Sequence, residues 1–247
     1  MSLVHRNGVP LHYFDFTDEL FPFYNSEAAG TPPFPGAFGD RKIGYVSSVL
    51  PGPLLDTYVS SPSKHPGIVQ IYFITGGVVG TIYIGGIVAR GPVSSTNIHL
   101  DDIDYVGFIV RPSNNTGEKF DASTILRMGV GTDITSSTFG TDGFWFEYNG
   151  GVSSNWRIVS RSSSSSTTTT TGLALTAGNW YQFEMERTPT ALRFYINETL
   201  YATHSTIPSA MVTAPMIVLS TSSVASNTPR LDLDWLRVAG QIKTARY

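Results

Sequence analysis

Apolar and polar residues alternate along most of this chain with a period of two, the spacing of a strand with one buried face. The clearest case is Trp180-Tyr181-Gln182-Phe183-Glu184-Met185-Glu186-Arg187. A turn at Thr188-Pro189-Thr190 leads from it into Leu192-Arg193-Phe194-Tyr195-Ile196, and an Asn197-Glu198-Thr199 turn opens a third strand. Similar patterns predict strands over Ile68–Thr75, Asp104–Arg111 (stopped by Pro112), Leu126–Gly131, Gly143–Tyr148, Asn155–Ser160, Pro215–Leu219 and Leu231–Val238. Thr81–Ile84 and Ile87–Ala89 read as one strand bent at the Gly85-Gly86 break. Asn149-Gly150 is a hairpin signal. Only Thr17–Leu20 and Ser209–Val212 offer helical turns, so the pattern is that of a two-sheet antiparallel all-β sandwich. Its core candidates are Trp180, Phe183, Phe194, Ile196, Leu219, Leu233 and Trp235.

Two segments break the rhythm. The run Ser162–Thr171 is serine and threonine throughout, which resembles a linker, yet Thr favours extended structure and both flanks carry the sheet pattern; it reads as a polar hairpin. Residues 1–40 form an irregular arm, dense in aromatics and proline, set against a sandwich over 41–247. Phe21, Phe23, Tyr24, Phe34 and Phe38 must be buried somewhere, because each carries a large apolar area. Two readings stand: a strand at His12–Phe16 with a loop folded over its own sandwich, or an arm whose aromatics anchor a neighbouring subunit.

Composition narrows the function. Charged residues are 14% of the 247, well below the roughly 25% of ordinary soluble proteins, and the net charge is −3. No basic stripe exists to suit nucleic acid or an anionic membrane. With Cys at 0, thiolate catalysis, disulfides and zinc–thiolate sites are excluded. The first residues lack an apolar signal-peptide core, so the expected route is assembly in a host cytoplasm; the Asn114-Asn115-Thr116 and Asn197-Glu198-Thr199 sequons then carry no sugar.

The Trp180 and Phe194 strands, with the turns around them, resemble the concanavalin A-like jelly roll of legume lectins, laminin-G-like modules and family-16-type glucanases. Three further pieces extend the likeness over roughly residues 60–240. They are His65-Pro66-Gly67-Ile68-Val69 with Thr75-Gly76-Gly77, Gly143–Tyr148 with Ser154-Asn155-Trp156, and Pro229–Val238. In this order they resemble the concanavalin A-like domains of bacteriophage structural proteins: capsid decoration (cement), head-fibre and tail proteins. That resemblance implies a virion protein on the capsid exterior, bound to a major capsid protein and to itself, as a homotrimer. Its alternative is a tail or fibre protein that binds a host surface glycan.

Chemistry is sparse. A family-16-type glucanase aligns three carboxylates at alternate positions of one strand, as nucleophile, orienting Asp and general acid. Here Glu184/Glu186 and Asp232/Asp234 are pairs without a third member, so no catalytic residues are expected and a glycoside hydrolase is the least favoured reading. A sugar-stacking patch would draw on Trp145, Tyr148, Asn155 and Trp156. Asp101 and Asp102 are the weak candidates for calcium, although Asp before a strand serves the backbone equally well. The five histidines are scattered, and no cofactor is expected.

Overall fold

Alternation in sequence becomes extended chain almost throughout. The computed structural model describes residues 42–48, 53–58, 68–73, 80–88, 100–114, 120–132, 140–209, 214–221 and 229–240, with side chains described chiefly between 100 and 234. The strands, in chain order, are β1 (Lys42–Ser48), β2 (Pro53–Tyr58), β3 (Ile68–Phe73), β4 (Gly80–Val88), β5 (Ile103–Asn114), β6 (Thr124–Gly131), β7 (Gly143–Asn149), β8 (Ser153–Ser162), β9 (Ser165–Ala174), β10 (Tyr181–Arg187), β11 (Leu192–Ile196), β12 (Thr199–His204), β13 (Ala214–Thr221) and β14 (Pro229–Gly240). A single 3-10 turn, Leu100–Asp102, is the helical element among the described residues. The expected helical turn at Thr17–Leu20, the strand at His12–Phe16 and the aromatic anchors Phe21, Phe23, Tyr24, Phe34 and Phe38 lie outside the described residues, as does most of Ser209–Val212.

The strands form two seven-stranded antiparallel sheets, β1-β4-β13-β6-β7-β8-β9 and β12-β11-β10-β5-β14-β3-β2. This is the expected all-β jelly-roll sandwich. Its core lies where β6–β8 face β5, β10 and β11. Phe146 meets Phe183 with ring centroids 4.8 Å apart and Phe194 at 5.7 Å. Trp156, fully buried, meets Phe183 at 4.7 Å and Tyr181 at 5.7 Å. Edge and tilted contacts of this kind add roughly 0.5–1.5 kcal/mol each beyond the area they remove from water.

Five expected core residues are buried: Phe183, Phe194, Ile196, Leu219 and Leu233. Trp180 is not. It precedes β10, half-buried, with the Arg111 guanidinium 5.0 Å over its ring. The core aromatic of this region is the next residue, Tyr181, because the inward positions of β10 are 181, 183 and 185. The side chain of Trp235 lies outside the described ones; its backbone follows a register shift after Leu233 and aligns with Ile109.

Proline does not stop β5 at Pro112. The strand runs on to Asn114, paired with β14 alone, since the β10 ladder ends at Val110. Past that point no described strand pairs with β5 on the β10 side, so a ladder N–H is not needed there, and the Pro112 carbonyl accepts the Gly178 N–H at 2.7 Å.

The serine–threonine run is a hairpin, as its Thr content predicts. Ser163 and Ser164, at φ 48° and 68°, make the two-residue turn between β8 and β9. Two positive φ values define a type I′ turn, normally Asn-Gly. Here the turn is held from outside: Asp142 Oδ1 accepts the Ser163 N–H at 3.0 Å and Thr141 O the Ser164 N–H at 2.8 Å. The Asn149-Gly150 signal marks the β7–β8 turn, where Gly150 is required by contact. A Cβ there would stand 2.0 Å from the Asp121 carbonyl oxygen.

Candidate functional site

The outward face of β6–β7–β8 carries a cluster of charged side chains. The register sets Arg127 beside Glu147 and Glu147 beside Arg157, one row across three strands. Arg127 Nε donates to Glu147 Oε2 at 2.6 Å, and Arg157 Nη1 to Oε1 at 2.7 Å. The Glu147 side chain is only 6% exposed, so each of its oxygens is committed to an arginine. Trp145, two residues earlier on the same face, is buried, and the Arg161 guanidinium lies 5.7 Å from its ring centroid. Arg127 Nη1 is buried without a hydrogen-bond partner. Two arginines thus clamp one glutamate, and a third, Arg161, lies over Trp145.

Of the four residues expected to stack a sugar, the structure brings only Trp145 and Asn155 to this face. Tyr148 and Trp156 point the other way, into the core, because they occupy the inward positions of β7 and β8. Tyr148 donates its hydroxyl to Phe120 O at 2.8 Å, and burial, helped by Asp121, raises its pKa above the ordinary tyrosine value. The expected four-residue platform therefore does not form, and Trp145, at 3% exposure, presents no open ring. The outward polar row went unseen in sequence because Arg127, Glu147 and Arg157 are each unremarkable alone; only the cross-strand register assembles them.

The carboxylate pairs of the second sheet are also engaged. Glu184 accepts the Tyr105 hydroxyl at 2.6 Å and Glu186 that of Tyr195 at 3.0 Å, on the outward face of β10. Desolvation, then the bond to Glu186, raises the Tyr195 pKa. Asp232, fully buried, takes Arg111 Nη2 at 2.5 Å and Arg230 Nε at 3.1 Å. Between Leu233 and Trp235 the strand register shifts, which places Asp234 at an irregularity of the β5–β14 ladder.

Asp101 and Asp102 sit in the 3-10 turn before β5, with Asp102 3% exposed. Arg187 is their countercharge. Burial lowers its pKa, while Asp101, Asp104 and Asp102 oppose that shift, and its Nη1 donates to Leu100 O in the same turn. The Arg187 guanidinium therefore stands in the field of these carboxylates, with its Nη1 on the Leu100 carbonyl. Among the described residues no three His, Asp or Glu come together as a metal-binding group.

Residues 103–234 match the family described as SO2946-like, C-terminal domain. Among solved structures, SO2946 from Shewanella oneidensis MR-1, a protein of unknown function, aligns at TM-score 0.61 and 12% identity over 99% of this chain and 92% of its own. Bacillus licheniformis β-glucanase aligns at TM-score 0.52 and 11% identity, over 85% and 96% respectively. The Crh5 transglycosylase aligns at 0.51 and 9%, over 96% and 87%. Comparison with curated proteins by sequence finds no match. Likeness at such identities fixes the fold as concanavalin A-like and leaves the chemistry open.

Proposed function

This chain belongs to the SO2946-like family, by the C-terminal domain that spans its residues 103–234, and from that premise we propose that it is a non-enzymatic structural protein of a virus particle, a decoration protein on the outer capsid surface. One observation carries the non-enzymatic part. On a glucanase fold, four carboxylates of the candidate strands are already bound within the protein: Glu147 by two arginines, Asp232 by two arginines, Glu184 and Glu186 by tyrosine hydroxyls. A retaining glycosidase needs two free carboxyls flanking one bond, one protonated and one ionised. Glu147 has neither a carboxylate at the next alternate positions of β7, which are Trp145 and Asn149, nor a free oxygen.

The particle reading draws on the phage-like order of strand motifs over roughly residues 60–240, on the low charge, and on the absence of cysteine. The rival reading, a tail or fibre protein that binds a glycan, has less to stand on, since two of its four stacking residues are core. Immunogold labelling of particles from an expressing host tests the proposal. Label over the whole head agrees with decoration; label confined to the tail tip favours the glycan-binding rival, and unlabelled particles refute both. Incubation with β-glucans and bacterial surface polysaccharides should release no reducing ends, and release abolished by Glu184→Gln or Glu186→Gln would overturn the non-enzymatic assignment.

A further inference from the structure

We propose that β9 is a self-pairing edge, along which two copies of this chain join antiparallel about a two-fold axis at Thr168. Among the described strands β9 ends its sheet, hydrogen-bonded to β8 alone. Its outward residues are exposed in strict alternation, with Ser166, Thr168, Thr170, Gly172 and Ala174 all open to solvent. In a two-residue hairpin the pair that closes the turn exchanges both backbone bonds, and bonded and non-bonded pairs then alternate along the ladder. Ser162 and Ser165 close this turn. The backbone N–H and C=O groups of Ser166, Thr168 and Thr170 therefore point away from β8, toward the free side.

Strand edges of this length are usually guarded by lysine, proline, a bulge or a covering loop. Between Ser165 and Thr171 there is no charge and no proline. The register shift of the β8–β9 ladder falls beyond Thr170, where Gly172 has φ 75°. The strand is also held in place before any partner arrives. Thr167 Oγ1 lies 2.6 Å from Thr206 Oγ1, Thr169 Oγ1 3.0 Å from His204 Nε2, and Thr171 Oγ1 donates to Trp156 O at 2.9 Å. An edge already fixed by its inward side chains loses little entropy on pairing.

The occupant is a second copy because the edge complements itself. Its own residues carry no charge, and the nearest cation, Arg161, is already engaged, its Nε donating to Ser166 Oγ at 2.8 Å and its Nη1 to Gly140 O at 2.9 Å. With Thr168 on the axis, Thr168 faces its own copy and Ser166 faces Thr170, so every cross-strand pair is hydroxyl to hydroxyl, a favourable combination. The three outward residues of each copy give about six backbone hydrogen bonds. The β8 backbones that carry Arg157 and Arg161 stay about 14 Å apart in the two copies, and Arg161 itself reaches out to Ser166 Oγ at 2.8 Å. The result is an isologous contact that closes on itself. It departs from the trimer that the phage-like resemblance implies.

Light scattering on the purified chain tests this directly, with twice the 26.8 kDa of one chain expected. Thr168→Lys puts a like charge on the axis and Thr168→Pro removes an edge N–H; each should weaken dimerisation at least tenfold while far-UV circular dichroism is unchanged. Because the chain holds no cysteine, Thr168→Cys adds a single thiol. Paired Cα atoms about 5.5 Å apart suit a disulfide, so mild oxidation should cross-link this variant and leave Thr203→Cys, on the neighbouring exposed strand, uncross-linked. A monomer or a trimer overturns the inference, as does a dimer insensitive to both edge variants, or cross-linking at Thr168→Cys no greater than at Thr203→Cys. The cysteine pair keeps the test decisive even where the lysine or proline variant misfolds. Particle labelling is read separately, so failure here leaves the decoration proposal standing.

Discussion

His204 Nε2 lies 3.0 Å from Thr169 Oγ1, a contact that ties the last strand of one sheet to the last strand of the other. Its Nδ1 lies 2.9 Å from Ser160 Oγ, and its ring packs 5.1 Å from Phe194. The imidazole is buried between two hydroxyls and an aromatic ring, and desolvation lowers its pKa below the ordinary 6.5. The folded protein thus holds His204 neutral while the unfolded chain protonates near 6.5, so its share of stability is complete above that pH and shrinks as pH falls toward the folded pKa. Denaturant unfolding at pH 7.5 and pH 5 should show a smaller loss of stability for His204→Gln than for the parent chain. Equal losses would remove His204 as the source.

Glu147 is the charge on which the outward row depends. Glu147→Ala leaves Arg127 and Arg157 facing each other, Arg127 with its side chain only 12% exposed. Breaking a buried pair from one side costs about 3–5 kcal/mol. Guanidinium titration should place the loss in that range, and a loss below about 1 kcal/mol would mean that water screens the row.

Trp156 and Trp180 separate core from surface. Trp156→Ala should cost about 3–5 kcal/mol, through lost contacts with Tyr181 and Phe183 and the cavity left behind. Trp180→Ala, at a half-buried position outside the core, removes the stacking under Arg111 and should cost about 1 kcal/mol or less. Thermal melts of the two variants give the order, and a reversed order would refute the assigned faces.

Gly150→Ala tests the β7–β8 turn. The added methyl meets the Asp121 carbonyl, whose own side chain caps the start of β6 by accepting from Ser123 N at 2.8 Å and Thr124 Oγ1 at 3.0 Å. Overpacking of this kind costs about 1–3 kcal/mol. The melting temperature should fall, whereas Gly172→Ala, at positive φ but with nothing within 4 Å of its Cβ, isolates the purely conformational cost.

The strands were legible because alternation is written locally. So was the hairpin in Ser162–Thr171, where threonine outweighed the look of a linker. Faces were less legible. Trp180 and Tyr181 are adjacent aromatics, and only a one-residue phase decides which is buried. Tyr148 and Trp156 read equally well as a sugar platform until the register turned them inward. The Arg127–Glu147–Arg157 row and the arginine clamp on Asp232 join residues up to 121 positions apart, beyond the reach of any window of sequence. Pro112 misled for a related reason, since the sequence does not say that β5 loses its second neighbour after Val110.

The place of β14 has a consequence for how the molecule comes into being. It lies inside its sheet, between β5 and β3, so residues 229–240 must slot between strands made more than a hundred residues earlier. Emerging from a ribosome, the β6–β9 meander can close hairpin by hairpin, with only the outer side of β6 left waiting for β13. The opposite layer waits with a gap until nearly the whole chain is out. Contacts of such high sequence separation fold slowly and leave unpaired edges open in the meantime. Synthesis that stops short of Pro229 therefore leaves not a smaller sandwich but a split one, with β3 and β5 each missing a neighbour and prone to find the wrong one.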